Sequence, residues 1–359
     1  MHGSLLNEYC IECAVSSLLG IFPFGISSSL DLIIYYNGPE GIRFWNMDMV
    51  FMQAVLAQPR GFCAGVERAV RIVEGALKLY GAPIYVRHEI VHNRRVVDDL
   101  RAKGAIFVDE LSDIPAGSVT IFSAHGVSME VEREAKLRGL SIIDATCPLV
   151  EKVHKEAQKF AKSGRKVILI GHRGHPEVAG TSGRVEGGVT LVSSVEEVAS
   201  LPLEESGSFA YVTQTTLSVD DTKGIILALH RRFPNIIGPD LRDICYATQN
   251  RQNAVRALAQ KCDLVLVVGD QTSSNSNRLR DIGNDMSVPT YLIDDATCID
   301  PTWLEGVAIV GITAGASAPE KLVQEVVVHL SQAAALEVRT LDGVVERVEF
   351  KLPEELNDL

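Results

Sequence analysis

Three times along the chain, a short apolar run breaks at a cysteine that leads straight into a helical pattern. Ala54-Val55-Leu56-Ala57 leads through Gln58-Pro59-Arg60-Gly61-Phe62 to Cys63, and Ala64-Gly65-Val66-Glu67-Arg68-Ala69-Val70 comes next. Ile142-Ile143 leads through Asp144-Ala145-Thr146 to Cys147-Pro148, and Asp243-Ile244-Cys245 opens Tyr246-Ala247-Thr248. Proline suits a helix first turn, where its missing N–H costs nothing. Each of these cysteines therefore reads as a thiol at a helix N-terminus, where the macrodipole favours thiolate.

The stretch after each cysteine repeats as well. The helical pattern gives way to a β-branched strand: Ile84-Tyr85-Val86, Lys166-Val167-Ile168-Leu169-Ile170, then Leu264-Val265-Leu266-Val267-Val268. A polar loop comes next. His92 follows Cys63 by 29 residues, His175 follows Cys147 by 28, and Ser274 follows Cys245 by 29. A second strand then ends at Asp109-Glu110, Ser193-Ser194 or Asp294-Asp295. A third ends in a Gly- or Thr-rich loop: Ser123-Ala124-His125-Gly126, Thr213-Gln214-Thr215-Thr216, and Thr313-Ala314-Gly315-Ala316-Ser317. Strands alternating with helical patterns mean α/β with parallel sheets. Ligands of such sheets bind at the strand C-terminal ends. Three similar units that join those ends would surround one central pocket, each giving it one thiol and two polar loops.

The 359 residues allow two or three domains with a sizeable core. A net charge of −12 argues against a partner with a polyanionic surface, whether nucleic acid or anionic membrane. No run of 18 uninterrupted apolar residues exists, so no membrane-spanning helix is expected. Seven cysteines without a secretory signal argue for free thiols in a cytoplasmic protein rather than a disulfide framework. Residues 1–51 read as an extension outside the core, with Met47, Met49 and Met52 each a candidate start. Its Cys10 and Cys13 form an isolated C-x-x-C with no second pair of ligands.

Three thiolates from separate units are not a zinc-ribbon pattern, which takes close pairs. They could instead ligate three irons of a cubane cluster and leave the fourth iron open. Cys262 and Cys298 lack the helix start and read as small buried hydrophobes. His92, His125, His172 and His175, with the hydroxyl-rich loops, suggest an anion site, because His⁺, hydroxyls and helix-terminal N–H groups all donate to phosphate oxygens. Neither a P-loop nor G-x-G-x-x-G is present, so nucleotide binding has no support. Glu177 is the acid expected to face the pocket, and a carboxyl in a dry site can donate a proton. An iron–sulfur sensor would need the thiols without the anion loops or Glu177. A zinc phosphate-ester hydrolase would favour clustered carboxylates, which are not evident.

The same residues closely resemble the 4-hydroxy-3-methylbut-2-enyl diphosphate reductase family, the last enzymes of the methylerythritol phosphate route to isoprenoids. The carrying motifs include Pro59-Arg60-Gly61-Phe62-Cys63-Ala64-Gly65-Val66, Val91-His92-Asn93, Ser123-Ala124-His125-Gly126-Val127 and Asp144-Ala145-Thr146-Cys147-Pro148-Leu149-Val150. They continue with His175-Pro176-Glu177-Val178, Thr213-Gln214-Thr215-Thr216, Asp243-Ile244-Cys245-Tyr246-Ala247-Thr248, Ser273-Ser274-Asn275-Ser276-Asn277-Arg278 and Thr313-Ala314-Gly315-Ala316-Ser317.

The resemblance covers the chain from about residue 52 onward. It implies an α/β trefoil of three similar units with pseudo-threefold symmetry around a 4Fe–4S cluster. The implied layout is a strand at 52–62 joining the third unit, units at 63–146, 147–244 and 245–335, and a C-terminal tail at 336–359. By the same resemblance, Cys63, Cys147 and Cys245 bind the cluster and Glu177 is the proton donor. His92, His125, His175, Thr215, Ser273, Ser274, Asn275 and Ser317 bind the allylic diphosphate substrate. The implied reaction is reductive dehydroxylation to isopentenyl and dimethylallyl diphosphates, with reduced ferredoxin or flavodoxin as electron donor.

Overall fold

The computed structural model describes residues 29–38, 41–204 and 206–356. Two compact units divide it at Val50 and Phe51. In the first unit, β1 (Ser29–Gly38) and the leading part of β2 (Gly41–Leu56) form an antiparallel hairpin with Ser29 opposite Val50. Cys10 and Cys13 lie outside the described residues.

The second unit contains three parallel sheets. The first is built from α1 (Ala64–Tyr80), β3 (Ile84–Arg87), α2 (Arg94–Ala102), β4 (Ala105–Val108), β5 (Val119–Phe122), α3 (Met129–Leu137) and β6 (Ser141–Asp144). Its strand order is β4-β3-β5-β6. The second comprises α4 (Pro148–Lys162), β7 (Lys166–Ile170), α5 (Pro176–Ser182), β8 (Thr190–Val192), α6 (Val195–Ser200), β9 (Phe209–Thr213) and α7 (Val219–Arg232), in the order β8-β7-β9. The third comprises α8 (Tyr246–Ala259), β10 (Leu264–Val268), α9 (Ser274–Asp285), β11 (Thr290–Ile293), β12 (Ile309–Ala314), α10 (Glu320–Ala333) and β13 (Ala335–Thr340). There the trailing part of β2 inserts between β12 and β13, parallel to both.

Burial explains why these runs are strands. On β10, Leu264, Leu266 and Val268 pack into one core while Val265 and Val267 pack into another on the opposite face. Ile168 and Ile170 likewise oppose Val167 and Leu169 on β7. A parallel sheet covered on both faces wants such continuous apolar strands. The helices carry one apolar stripe instead. On α1, Ala69, Ile72, Val73 and Ala76 are buried, with Glu67 in the first turn and Lys78 in the last, as the helix dipole prefers.

The three units interlock in a cycle at their cysteines. The Cys147 N–H donates to the Ala124 carbonyl of the first sheet's last loop at 3.0 Å. Cys245 donates to Thr215 of the second at 3.1 Å, and Cys63 to Ala316 of the third at 3.2 Å. One hydrogen bond, repeated three times, carries each thiol to the border between two units.

Two expectations need correction. Within the stretch expected as a C-terminal tail, residues 336–356 pack against the sheets. β13 pairs with β2 from Ala335 opposite Phe51 to Thr340 opposite Leu56, and Leu356 is buried in the core of the β4-β3-β5-β6 sheet. Cys298 is exposed, not a buried hydrophobe, because the turn Ala296–Cys298 buries Ala296 instead. Cys262 is buried.

Because the three sheets and their cores begin at Phe51, a chain begun at Met52 is expected to melt cooperatively within a few degrees of the full chain. Circular dichroism during heating checks this. An insoluble or non-cooperative shortened chain would show that the preceding residues belong to the fold.

Candidate active site

Each site cysteine is the residue that opens its helix. Cys63 precedes α1, Cys147 precedes Pro148 of α4, and Cys245 precedes α8, where its sulfur accepts the Thr248 N–H at 3.3 Å. All three sulfurs face one cavity of about 110 Å³. Gly65 makes their approach possible, since a Cβ there would lie 2.7 Å from the Cys147 sulfur and 3.9 Å from that of Cys63.

A helix start alone does not make Cys147 or Cys245 acidic here. Burial, then the neighbouring Cys63, pushes Cys147 up to about 12, although the N–H groups of Leu149 and Val150 act in the opposite sense. Burial and Cys63 likewise push Cys245 up to about 11. Burial outweighs the dipole, so the expectation of free thiolates is corrected. Buried sulfurs this close become thiolates when a cation shares their cavity, which is the chemistry of a metal–sulfur centre. Among the described residues, no three His, Cys, Asp or Glu side chains converge as a single-ion site.

The cavity's other walls carry the residues that the sequence pointed to, apart from His172. His92, His125, His175, Thr215, Ser273, Ser274, Asn275, Ser317 and Glu177 all line it beside the three cysteines. His92 sits in the loop after β3, His125 in the loop after β5, and His175 caps α5. Their rings cluster, with centroids 4.3 Å apart for His92 and His125, 5.4 Å for His92 and His175, and 5.8 Å for His125 and His175. Burial lowers all three, His175 to about 3. Burial thus favours the neutral imidazole at each, against the imidazolium donors the sequence suggested. Nε2 of His92 and both side-chain polar atoms of Asn275 are buried without a hydrogen-bond partner, while Nδ1 of His92 has only the Glu89 carboxylate at 3.5 Å. Buried polar atoms are ordinarily paired, so these atoms are open to a polar ligand. Ser273 caps α9, and Ser274 and Asn275 form its first turn, presenting helix N–H groups to the cavity.

Glu177 stands in the first turn of α5, only 2% exposed. Thr215 donates its N–H to one carboxylate oxygen at 2.7 Å and its hydroxyl to the other at 2.9 Å. Burial raises the carboxyl to about 7 against these two bonds. It can thus hold a proton near neutrality and release it.

A second, larger cavity of about 930 Å³ opens between the second and third sheets and shares His92, His175, Thr216 and Ser274 with the first. His172 lines this outer cavity and not the inner one. Sequence reasoning passed over Gly65 and Thr248. The C-x-G spacing after Cys63 was the available sign for Gly65; for Thr248 the sign was its place one turn after Cys245.

The model of the LytB protein family matches residues 54–331. The 4-hydroxy-3-methylbut-2-enyl diphosphate reductase of Bordetella pertussis is 60% identical over 305 residues, which is 85% of this chain and 94% of that protein. The enzyme of the same name from Zymomonas mobilis is 58% identical over 308 residues, covering 86% and 91%. Among solved structures, the E-1-hydroxy-2-methyl-but-2-enyl-4-diphosphate reductase of Plasmodium falciparum superposes with a TM-score of 0.83 at 40% identity, covering 85% of this chain and 97% of that one. A structure described as (E)-4-hydroxy-3-methyl-but-2-enyl diphosphate reductase, the terminal enzyme of the non-mevalonate pathway, matches at TM-score 0.58 and 31% identity, covering 79% and 100%. On the family model and these relatives, the chain belongs to the LytB family.

Proposed function

We propose that the chain reduces (E)-4-hydroxy-3-methylbut-2-enyl diphosphate to isopentenyl and dimethylallyl diphosphates, the last step of the methylerythritol phosphate route. The observation that carries this is one cavity walled by three thiols from three units, a buried acid, and buried polar atoms without partners. In this reading Cys63, Cys147 and Cys245 hold a 4Fe–4S cluster. When bound, the cluster supplies two electrons, one at a time, and a Lewis-acidic iron.

The chain's own residues do the rest. The three histidines, Thr215, Ser273, Ser274, Asn275 and Ser317 hold the substrate, chiefly by its diphosphate. This grip sets the allylic C–O bond beside Glu177, the positioning that a bound reactant needs. Glu177 gives its proton to the hydroxyl oxygen, so that the C–O bond breaks with loss of water. The allylic carbons, left electron-deficient by that loss, take up the two supplied electrons and then a second proton at either end, giving the two products. One alcohol, two electrons and two protons thus become one alkene diphosphate and one water. The apolar wall of Val66, Val91, Leu149 and Val150 limits water in the cavity.

A one-electron carrier must feed such a site, and reduced ferredoxin or flavodoxin is the proposed donor. Among the described residues every cysteine is free and no helix is long and apolar enough to cross a membrane. Free thiols fit a reducing compartment, and the cytoplasm is the proposed location.

Anaerobic protein with a reduced viologen and the substrate tests the reading. Both product diphosphates should form as viologen is oxidised. Oxidation of viologen without either product, or no reaction by iron-loaded protein, would contradict it.

The neutral histidines add a prediction. A diphosphate among them favours imidazolium, so substrate binding should take up protons, more in mildly acidic than in mildly alkaline buffer. Calorimetric titration in buffers of different ionisation enthalpy measures this. Binding heats that are independent of the buffer would contradict it.

A further inference from the structure

After β13 the chain crosses back over the turns that carry the thiols. The Leu341 N–H donates to the Leu56 carbonyl at 2.9 Å. Gly343 passes the Gln58 carbonyl so closely that a Cβ there would overlap it. Leu352 and Leu356 then pack into the core of the β4-β3-β5-β6 sheet. Between these anchors the segment meets two arginines, and each arginine joins two thiol-bearing turns.

Arg251 stands on α8, the helix that Cys245 opens, and its side chain is fully buried. Its Nε and one terminal nitrogen donate to the Gly61 carbonyl at 3.0 and 2.7 Å. The second of these also reaches the Phe62 carbonyl at 3.2 Å, just before Cys63. The other terminal nitrogen donates to Ala247 at 3.0 Å and to Glu346 of the crossing segment at 3.1 Å. Glu346 also accepts from Asn250 at 2.9 Å, which aims its carboxylate. Arg68 does the corresponding work on α1, the helix that Cys63 opens. It donates to the Lys351 carbonyl of the crossing segment at 2.8 Å and to the Thr146 carbonyl, next to Cys147, at 3.1 Å.

We infer that residues 341–356 form a strap that fixes the three thiols relative to one another, through Arg251 between Cys245 and Cys63 and through Arg68 between Cys63 and Cys147. Neither arginine lines the thiol cavity. Both are positioning residues. A fully buried guanidinium needs a counter-charge, and removing one partner of such a pair is costly. Without Glu346, Arg251 must draw toward water and release the Gly61 and Phe62 carbonyls. The Cys63 turn then loses its tie to α8, the helix of Cys245, and keeps the bonds to the loop after β12, from Gly61 to Ala314 and from Cys63 to Ala316, each 3.2 Å.

The inference rests on the reading that these thiols hold an iron–sulfur cluster, and the test separates the two. Anaerobically purified Glu346→Ala, Arg68→Gln and Val345→Ala chains are compared with the parent. The readouts are the rate at which a chelator strips iron, the electron paramagnetic resonance spectrum after reduction, and the melting temperature. Val345 is 63% exposed on the same strap and serves as control. Glu346→Ala and Arg68→Gln should each lose iron about 10–100-fold faster, as expected when a group supporting a metal ligand is removed. Each should also show an altered spectrum, while Val345→Ala matches the parent. Either variant that melts lower yet keeps the parent's iron-release rate and spectrum would overturn the strap's role. So would a Val345→Ala chain that loses iron as fast as the others. A parent chain that holds no iron would remove the underlying reading instead.

Discussion

Cys147→Ser is expected to abolish turnover and to strip the chain of most of its iron. Its sulfur lies where Gly65 leaves room for it, and its N–H hooks the second unit onto the first through Ala124. Serine preserves that backbone bond and nearly the same volume. It loses only the soft ligand, and thiolate is what iron–sulfur centres select. Cys63→Ser and Cys245→Ser should behave alike, because their turns repeat the same geometry. Cys298→Ala, at an exposed position, should change nothing. Cys262→Ser should keep its iron and activity while losing about 1–3 kcal/mol for burying a hydroxyl. Iron analysis and melting curves on the five variants check the pattern. Full iron in Cys147→Ser would contradict the three-ligand site.

Glu177→Gln should leave the cluster and substrate binding in place while turnover falls by about 10²–10⁴-fold. Gln keeps the size of Glu and can still accept from Thr215, but it cannot supply a proton. In the parent, burial holds the carboxyl at about 7. The acid form is therefore present below that pH and is lost above it. Turnover should decline above about pH 7, by about tenfold per pH unit once the group is ionised. In Glu177→Gln the residual rate should lack this decline. His125→Ala should instead weaken binding first. Near-parent turnover by Glu177→Gln, or a high-pH limb that persists in it, would remove this residue as the acid.

Much of the site was legible because its signals are local. A cysteine, a turn and a helical pattern fall within ten residues, and the strand after them is uniformly apolar because both its faces are covered. The three similar offsets from cysteine to polar loop placed one thiol and one ligand loop on each unit. The missed features depend on burial or on distant pairs. The helix dipole at Cys147 is readable from its sequence, but the burial that outweighs it is set by the other two units. The same holds for the three histidines, which are shifted toward the neutral form first of all by burial between the units. Arg251 touches Gly61 across 190 residues, and no local pattern announces that. β13 read as tail because Glu337, Val338, Arg339 and Thr340 are all exposed, giving an edge strand without an apolar face. Cys298 misled because a lone cysteine in a short turn carries no sign of which neighbour the turn will bury.

The most direct test is Mössbauer spectroscopy of the chain loaded with ⁵⁷Fe, before and after substrate. Three protein thiols on a four-iron cluster leave one iron unlike the rest. The expected spectrum has roughly one quarter of its area in a distinct site, and only that site should shift when the allylic diphosphate is added. Four equivalent irons that are indifferent to the substrate would contradict the account, as would a chain purified without air that carries no iron.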